Sequence, residues 1–137
     1  MAAANTILVI DQHELTCELI AIALGELGYH VESVHTPEHI YAALERQTPD
    51  LILCALDVRG VSAFDLITVL LRHDMVLSVP IVIMTTYPRL LETCTTQGIA
   101  DHLYKPFLLS DLYACVQRHC PARPEPLLQE RSVGVAY

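Results

Sequence analysis

Residues 49–60 read PDLILCALDVRG, and this stretch decides the fold of the chain. It begins with a Pro-Asp pair, continues through five apolar residues at 51–55, and closes with a polar turn that ends at Gly60. An apolar run of this length between turn signals predicts a strand buried on both faces, as at the centre of a parallel sheet. In such sheets, ligands bind beyond the carboxyl ends of the strands, which here means Ala55 and the residues that follow it.

The composition predicts a single globular domain. The chain has 137 residues, of which 53% are apolar and 18% are charged. It is long enough for one core and too short to expect two. The net charge of −8 argues against a nucleic-acid partner, because duplex binding requires clustered Lys and Arg. No apolar run reaches the ~20 residues that span a bilayer, and the start has no basic leader, so a cytoplasmic protein without membrane contact is predicted.

The cysteines favour a reducing environment. There are five, an odd number without any C-x-x-C spacing: Cys17, Cys54, Cys94, Cys115 and Cys120. We interpret them as small buried side chains rather than as a disulfide framework or a zinc site.

Apolar strands and helical segments alternate along the chain. The first helix is indicated by apolar residues at helical spacing (Leu15, Leu19, Ile22, Ala23, Leu27) and ends before Gly28. Strands are predicted at 6–10, 29–34, 51–55, 80–85 and 101–104, and helices at about 13–27, 37–47, 62–71, 88–97 and from 110 onwards. This alternation predicts an α/β fold, a doubly wound five-stranded parallel sheet with helices on both faces and flavodoxin-like topology.

The predicted domain occupies residues 1–120. The segment 121–137 contains three prolines and no clear periodicity. We therefore predict that it is a flexible C-terminal tail or linker.

Polar residues follow the predicted strands where their carboxyl ends meet. Asp11 follows the first strand, Asp57 lies just beyond the third, Thr85 ends the fourth, and Lys105 follows the fifth. Lys105 is the only lysine in the chain. An acid, a hydroxyl and a lysine from separate strand ends favour a site that handles a phosphoryl group, since lysine supplies a point charge for an anion.

With these motifs in order, the chain resembles the receiver domains of bacterial two-component response regulators over about residues 7–116. The resemblance is carried by ILVID (7–11), LGY (27–29), PDLIL (49–53), Gly60, PIVIMTT (80–86), Gly98 and LYKPF (103–107). It implies a strand order of 2-1-3-4-5 and a role in signal transduction rather than an enzymatic one. It also implies a site with two acids that hold Mg²⁺, a phospho-accepting Asp at the end of the third strand, a hydroxyl and a lysine.

Two of those positions depart from the family pattern. Asp11 matches the first acid, but Gln12 stands where the second is expected. The acceptor position, counted without a gap from either end of 49–60, is Ala55. Thr85 and Lys105 match the hydroxyl and the lysine. His102 falls at the aromatic switch position, where the family commonly has Tyr or Phe.

The departures predict a degenerate receiver. A methyl group cannot act as the nucleophile that takes a phosphoryl group, and Mg²⁺ favours carboxylate and other hard oxygen ligands. We therefore expect no aspartyl phosphorylation, weak or absent Mg²⁺ binding with Asp11 as a weak candidate ligand, and a direct contact between Asp11 and Lys105.

Two alternatives remain open. Asp57 lies two positions beyond Ala55 and could act as a surrogate acceptor. A small flavodoxin-like enzyme is the other, although DQHE after the first strand lacks the glycines of a phosphate loop. The leading hypothesis is a pseudo-receiver that acts by protein–protein interaction. The resemblance implies that its partner is a histidine kinase, an effector domain or a second copy in a homodimer, bound through the region from Arg89 to Arg118.

Overall fold

A five-stranded parallel sheet forms the centre of the fold. The computed structural model describes residues 5–55, 79–86 and 99–121. The strands are β1 (Thr6–Ile10), β2 (His30–Val34), β3 (Leu51–Ala55), β4 (Ile81–Thr85) and β5 (Asp101–Tyr104). They are ordered β2-β1-β3-β4-β5, and each neighbouring pair is parallel. The predicted fold class and strand order are therefore confirmed.

Three helices lie within the described ranges. They are α1 (Glu14–Glu26), α2 (Pro37–Arg46) and α3 (Leu109–His119). The helices predicted at 62–71 and 88–97, and the tail beyond residue 121, lie outside the described residues. Of the helices in the described ranges, none has the length and apolar character that crossing a membrane requires.

The inner strands are buried along their whole length. Every residue of β1, β3 and β4 is buried, whereas the edge strands β2 and β5 include exposed positions. Both faces of an inner strand are covered in this architecture, which is why the sequences are continuously apolar rather than alternating. The stretch LILCA at 51–55 is β3, at the centre of the sheet.

Successive side chains of each strand enter two different cores. One core lies between the sheet and α2, where Ile40 and Leu44 pack on Ile10, Ile52 and related residues. The other lies on the opposite face and contains buried residues of α1 and α3. Burying a large aliphatic side chain contributes about 1.5–3 kcal/mol, so these two cores hold the strand ends in fixed register.

The first helix is confirmed, but most of the apolar residues that marked it do not face the core. Its buried residues are Cys17, Ile20, Ala23 and Leu24. Three of the apolar residues used to predict it are exposed, namely Leu15 (67%), Leu19 (57%) and Ile22 (62%). We call these three residues the α1 outer stripe. Gly28 follows the helix with a φ of 95°, a left-handed conformation that glycine adopts without strain.

Candidate functional site

The carboxyl ends of the inner strands bring the predicted residues to one edge of the sheet. Ile10 pairs with Cys54, so Asp11 and Ala55 come next at the same level of β1 and β3. Ala55 pairs with Met84, and Thr85 follows it on β4. The sheet order reverses between β1 and β3, the position where open α/β sheets bind ligands.

The centre of this edge is an ion pair between Asp11 and Lys105. Lys105 Nζ lies 2.6 Å from Asp11 Oδ2, and the two residues are 94 positions apart in the sequence. The Asp11 side chain is fully buried and that of Lys105 is 15% exposed. A buried carboxylate requires such a partner, because its desolvation is otherwise uncompensated. The contact predicted from the sequence is confirmed.

The remaining polar atoms of Asp11 are also engaged. Its Oδ1 accepts a hydrogen bond from the backbone N–H of His13 at 3.0 Å. Its backbone carbonyl lies 3.0 Å from Nδ1 of His35, and since a carbonyl only accepts, that ring nitrogen carries the proton. Asp11 is therefore held by a lysine, an amide and an imidazole at once.

Ala55 and Thr85 are buried beside this pair in the sheet. Ala55 is the last residue of β3, has no exposed surface, and belongs to the core on the α1 and α3 face. Thr85 is 4% exposed, and its carbonyl accepts a hydrogen bond from the N–H of Lys105 at 2.8 Å. The Lys105–Pro106 peptide bond is cis. The side chain of Ala55 offers this edge of the sheet neither a nucleophile nor a ligand.

Two other predicted positions lie at the margin of the site, and one is outside the described residues. Gln12 is half-buried, directly after Asp11. His102 is exposed on β5 and packs edge-on against Tyr104, with ring centroids 4.9 Å apart. Asp57 falls in the undescribed range 56–78, so its role as a surrogate acceptor stays a prediction. The switch role of His102 also stays a prediction.

The described residues of this edge do not fit a magnesium ion well. Mg²⁺ requires near-octahedral oxygen coordination, usually with one or two carboxylates. Among residues 5–55, 79–86 and 99–121, Asp11 is the carboxylate at this edge, and both of its oxygens already accept contacts from Lys105 and His13. A metal at this place would have to displace the lysine.

A thiol lies beside the pair and is held protonated. Cys17 Sγ is 3.6 Å from the carbonyl of Asp11 and 3.6 Å from His35 Nδ1. Burial, and then the charge of Asp11, raise the pKa of the Cys17 thiol to about 11. A thiol with a raised pKa is a poor nucleophile, so this cysteine supports the structure and not a covalent reaction.

Sequence reasoning missed two features. One is the α1 outer stripe, which faces solvent although its spacing is that of a core face. The other is a cluster of Asp101, Cys115 and His119 where β5 meets α3. The available signal was the four-residue spacing of Cys115 and His119, which places both on one side of a helix. A search for C-x-x-C spacing does not detect it.

The comparison with protein families identifies one that spans most of the chain. Residues 7–117 match the model described as "Response regulator receiver domain". The phosphate regulon transcriptional regulatory protein PhoB of Pseudomonas aeruginosa is 30% identical over 88% of this chain and 56% of its own length. The two-component response regulator-like protein APRR5 of Arabidopsis thaliana is 27% identical over 96% of this chain and 25% of its own. The chain thus spans between a quarter and somewhat more than half of these relatives.

Solved structures agree with the fold. The chemotaxis protein CheY4 of Vibrio cholerae superposes with a TM-score of 0.79 at 21% identity, covering 85% of this chain and 99% of that one. The receiver domain of a sensor histidine kinase from Pseudomonas aeruginosa has a TM-score of 0.75 at 26% identity, covering 85% and 98%. That domain holds a magnesium ion in its active site cleft.

Proposed function

Because the chain belongs to the response regulator receiver domain family, we propose that it is a degenerate receiver that acts through protein–protein contacts without aspartyl phosphorylation. Two-component signalling is the setting of the family, and the finer assignment rests on the residues of the sheet edge. The observation that carries it is the residue at the carboxyl end of β3. There Ala55 presents a buried methyl group at the level of Asp11.

The ion pair at the sheet edge supports the same proposal. In a site with several acids beside one lysine, repulsion between carboxylates is relieved by a cation. Here Asp11 and Lys105 neutralise each other directly at 2.6 Å. Within the described part of the edge, the two charges are therefore balanced without a metal, and Mg²⁺ has little to gain by binding there. We accordingly propose no enzymatic activity and weak or absent Mg²⁺ binding.

Phosphorylation is the direct test. The chain would be incubated with acetyl phosphate and Mg²⁺ and then measured by intact mass spectrometry, with a receiver that carries the full acid set treated alongside. We expect no phosphoryl adduct on the wild type. The matched variant Gln12→Asp/Ala55→Asp restores both carboxylates and should acquire one.

One outcome would replace the proposal by its alternative. An adduct on the wild type that disappears in Asp57→Asn would show that Asp57 is a surrogate acceptor, and the chain would then be a phosphorylatable receiver. An adduct that persists in Asp57→Asn would also refute the hypothesis that the chain is a receiver without aspartyl phosphorylation. A calorimetric titration that finds tight, stoichiometric Mg²⁺ binding to the wild type would contradict the electrostatic argument.

We place the partner surface in the region from Arg89 to Arg118, of which residues 99–118 are described. This part exposes large apolar side chains: Tyr104 (48%), Leu108 (69%) and Leu109 (44%). Adjacent exposed apolar groups are typical of docking surfaces, whereas single ones are ordinary. The partner is a histidine kinase, an effector domain or a second copy of the chain. Cys17 and Cys115 are buried free thiols, which suits a cytoplasmic location.

Variants of exposed side chains can locate this surface. We expect Leu108→Ser/Leu109→Ser to weaken self-association, measured by analytical ultracentrifugation, or binding to a kinase or effector. Leu15→Ser/Leu19→Ser in the α1 outer stripe is the matched control, because it removes the same kind of exposed apolar area elsewhere. If the control weakens binding and the α3 variant does not, the proposed surface is wrong and the α1 outer stripe is the contact.

A further inference from the structure

A group of three potential metal ligands lies where β5 meets α3, on different residues from the Asp11 site. Asp101, Cys115 and His119 offer ligand atoms that all lie within 4.8 Å of one another. His119 Nε2 is 2.9 Å and Cys115 Sγ is 3.7 Å from the same carboxylate oxygen, Asp101 Oδ2. Cys115 is buried, and the other two side chains are about one fifth exposed.

The secondary structure presents these side chains together. Cys115 and His119 are four residues apart on α3, so they lie on the same side of the helix. Asp101 is the first residue of β5, an edge strand of the sheet, and α3 packs against this strand. The arrangement therefore follows from the packing of two regular elements and not from a loop.

We propose that Asp101, Cys115 and His119 bind a divalent transition-metal ion of the Zn²⁺ type. The donor set is a thiolate, an imidazole and a carboxylate, which suits Zn²⁺ and Co²⁺ and does not suit Mg²⁺ or Ca²⁺. Three protein ligands leave the fourth tetrahedral position to water. This site uses none of the residues at the Asp11 edge, so it does not depend on the absence of phosphorylation, although Asp101 and Cys115 lie within the proposed partner region.

The observed spacing is close to that of a zinc shell. With Zn–S near 2.3 Å and Zn–N and Zn–O near 2.0 Å, tetrahedral ligand atoms lie about 3.3–3.6 Å apart. The two measured separations, 2.9 and 3.7 Å, bracket that range. The widest separation is at most 4.8 Å, so the ligands need to close by no more than about 1.5 Å. Side-chain rotation is enough for a movement of that size.

A backbone contact already orients the carboxylate. Asp101 Oδ1 accepts a hydrogen bond from the N–H of His102 at 2.8 Å, which leaves Oδ2 directed at Cys115 and His119. Hydrogen bonds of this kind, from groups outside the ligand set, fix a ligating carboxylate and raise metal affinity.

Arg118 occupies the place that the metal would take. Its Nη2 donates to Asp101 Oδ2 at 2.7 Å, but its side chain is 57% exposed. An exposed ion pair contributes little to stability, so the guanidinium can turn into solvent at small cost. The metal and Arg118 therefore compete for one oxygen, and this competition is specific to the proposed site.

Binding requires a balanced transfer of protons. The Cys115 thiol loses its proton to solvent as the S–metal bond forms. His119 binds the metal through the lone pair of Nε2, with the ring proton on Nδ1. Burial and the charge of Asp101 raise the pKa of the Cys115 thiol to about 11. Metal binding therefore releases the thiol proton to solvent.

The test is a titration of the full chain with Co²⁺, followed by absorbance. Binding at this site should give a thiolate-to-cobalt charge-transfer band in the near ultraviolet, which Zn²⁺ then removes. Cys115→Ser should abolish the band, and His119→Gln should weaken binding by at least about tenfold. Cys17→Ser, a substitution of another buried cysteine, should leave the titration unchanged.

A fourth variant separates this site from incidental binding. Arg118→Gln removes the guanidinium that competes for Asp101 Oδ2 and keeps all three proposed ligands. It should therefore tighten Co²⁺ binding by about two- to fivefold. Circular dichroism of each variant confirms that it remains folded. A wild type without the charge-transfer band, a band that survives in Cys115→Ser, or an Arg118→Gln variant with unchanged or weaker affinity would each overturn the proposal.

Discussion

The ion pair between Asp11 and Lys105 predicts a large loss of stability when the lysine is removed. Lys105→Met keeps the length of the side chain but leaves the Asp11 carboxylate, which is fully buried, without its cation. Removing one partner of a buried pair costs about 3–5 kcal/mol. The Lys105 side chain is 15% exposed, so water partly replaces it and the lower end of that range applies. We expect a loss of about 3 kcal/mol.

The expected loss is measured by thermal and urea unfolding at pH 7. For a chain of 137 residues, about 3 kcal/mol corresponds to a decrease in Tm of roughly 10 °C. Asp11→Asn should cost less, because the exposed end of Lys105 can be hydrated whereas a buried carboxylate cannot. The double variant Asp11→Asn/Lys105→Met carries neither charge, so it should be more stable than Lys105→Met alone.

The double variant isolates the interaction from the loss of either side chain. The coupling energy of the cycle should be about 2 kcal/mol. If Lys105→Met unfolds within about 0.5 kcal/mol of the wild type, or if the double variant is less stable than Lys105→Met, Asp11 does not depend on this lysine. The electrostatic argument against a metal at the sheet edge would then lose its support.

Three further perturbations probe other contacts. Tyr29→Phe removes a buried hydrogen bond of 2.6 Å to the carbonyl of Cys120, and urea unfolding should show a loss of about 1–2 kcal/mol. Partial burial would raise the pKa of Asp101, but its hydrogen bonds outweigh this and hold the pKa well below its ordinary value of 3.8. The carboxylate therefore stabilises the fold above about pH 4, and this contribution is lost as the pH falls further. Asp101→Asn should be less stable than the wild type at neutral pH, and this difference should shrink in acid. A difference that grows in acid would contradict the prediction. On α1, Ile20→Ala should lower the free energy of unfolding by about 2–4 kcal/mol, and Leu19→Ala should lower it by less than about 0.5 kcal/mol. Equal losses for the two variants would show that the helix presents a different face to the core.

The order of elements could be predicted from the sequence because it depends on local patterns. Each inner strand contains at least four consecutive apolar residues, and Gly28 and Pro37 mark the end of α1 and the start of α2. The bounds of β1, β3 and β5 match the prediction, and the strand order follows from topology rules together with the resemblance. Ala55 at the end of β3 is likewise a property of the sequence, since no gap is needed to place it.

The orientation of α1 was decided by the tertiary structure. Two sets of apolar residues recur on this helix at helical spacing, one with Ile20 and Leu24 and the other with Leu15 and Leu19. Periodicity alone cannot choose between them, because both satisfy the 3.6-residue repeat. Packing against the sheet buries the first set and leaves the second, the greater part of the α1 outer stripe, in solvent.

Contacts between distant residues were also beyond the reach of local patterns. The sequence shows that Lys105 is the only lysine and that Asp11 follows the first apolar run, but only the assembled sheet brings them to 2.6 Å across 94 positions. The cluster at β5 has the same origin, because Asp101 reaches Cys115 and His119 only when α3 packs on the edge strand. The sequence by itself determined which chemical groups the fold carries at its strand ends. The tertiary structure decided which of them meet, because pairing and packing act between residues that no local pattern connects.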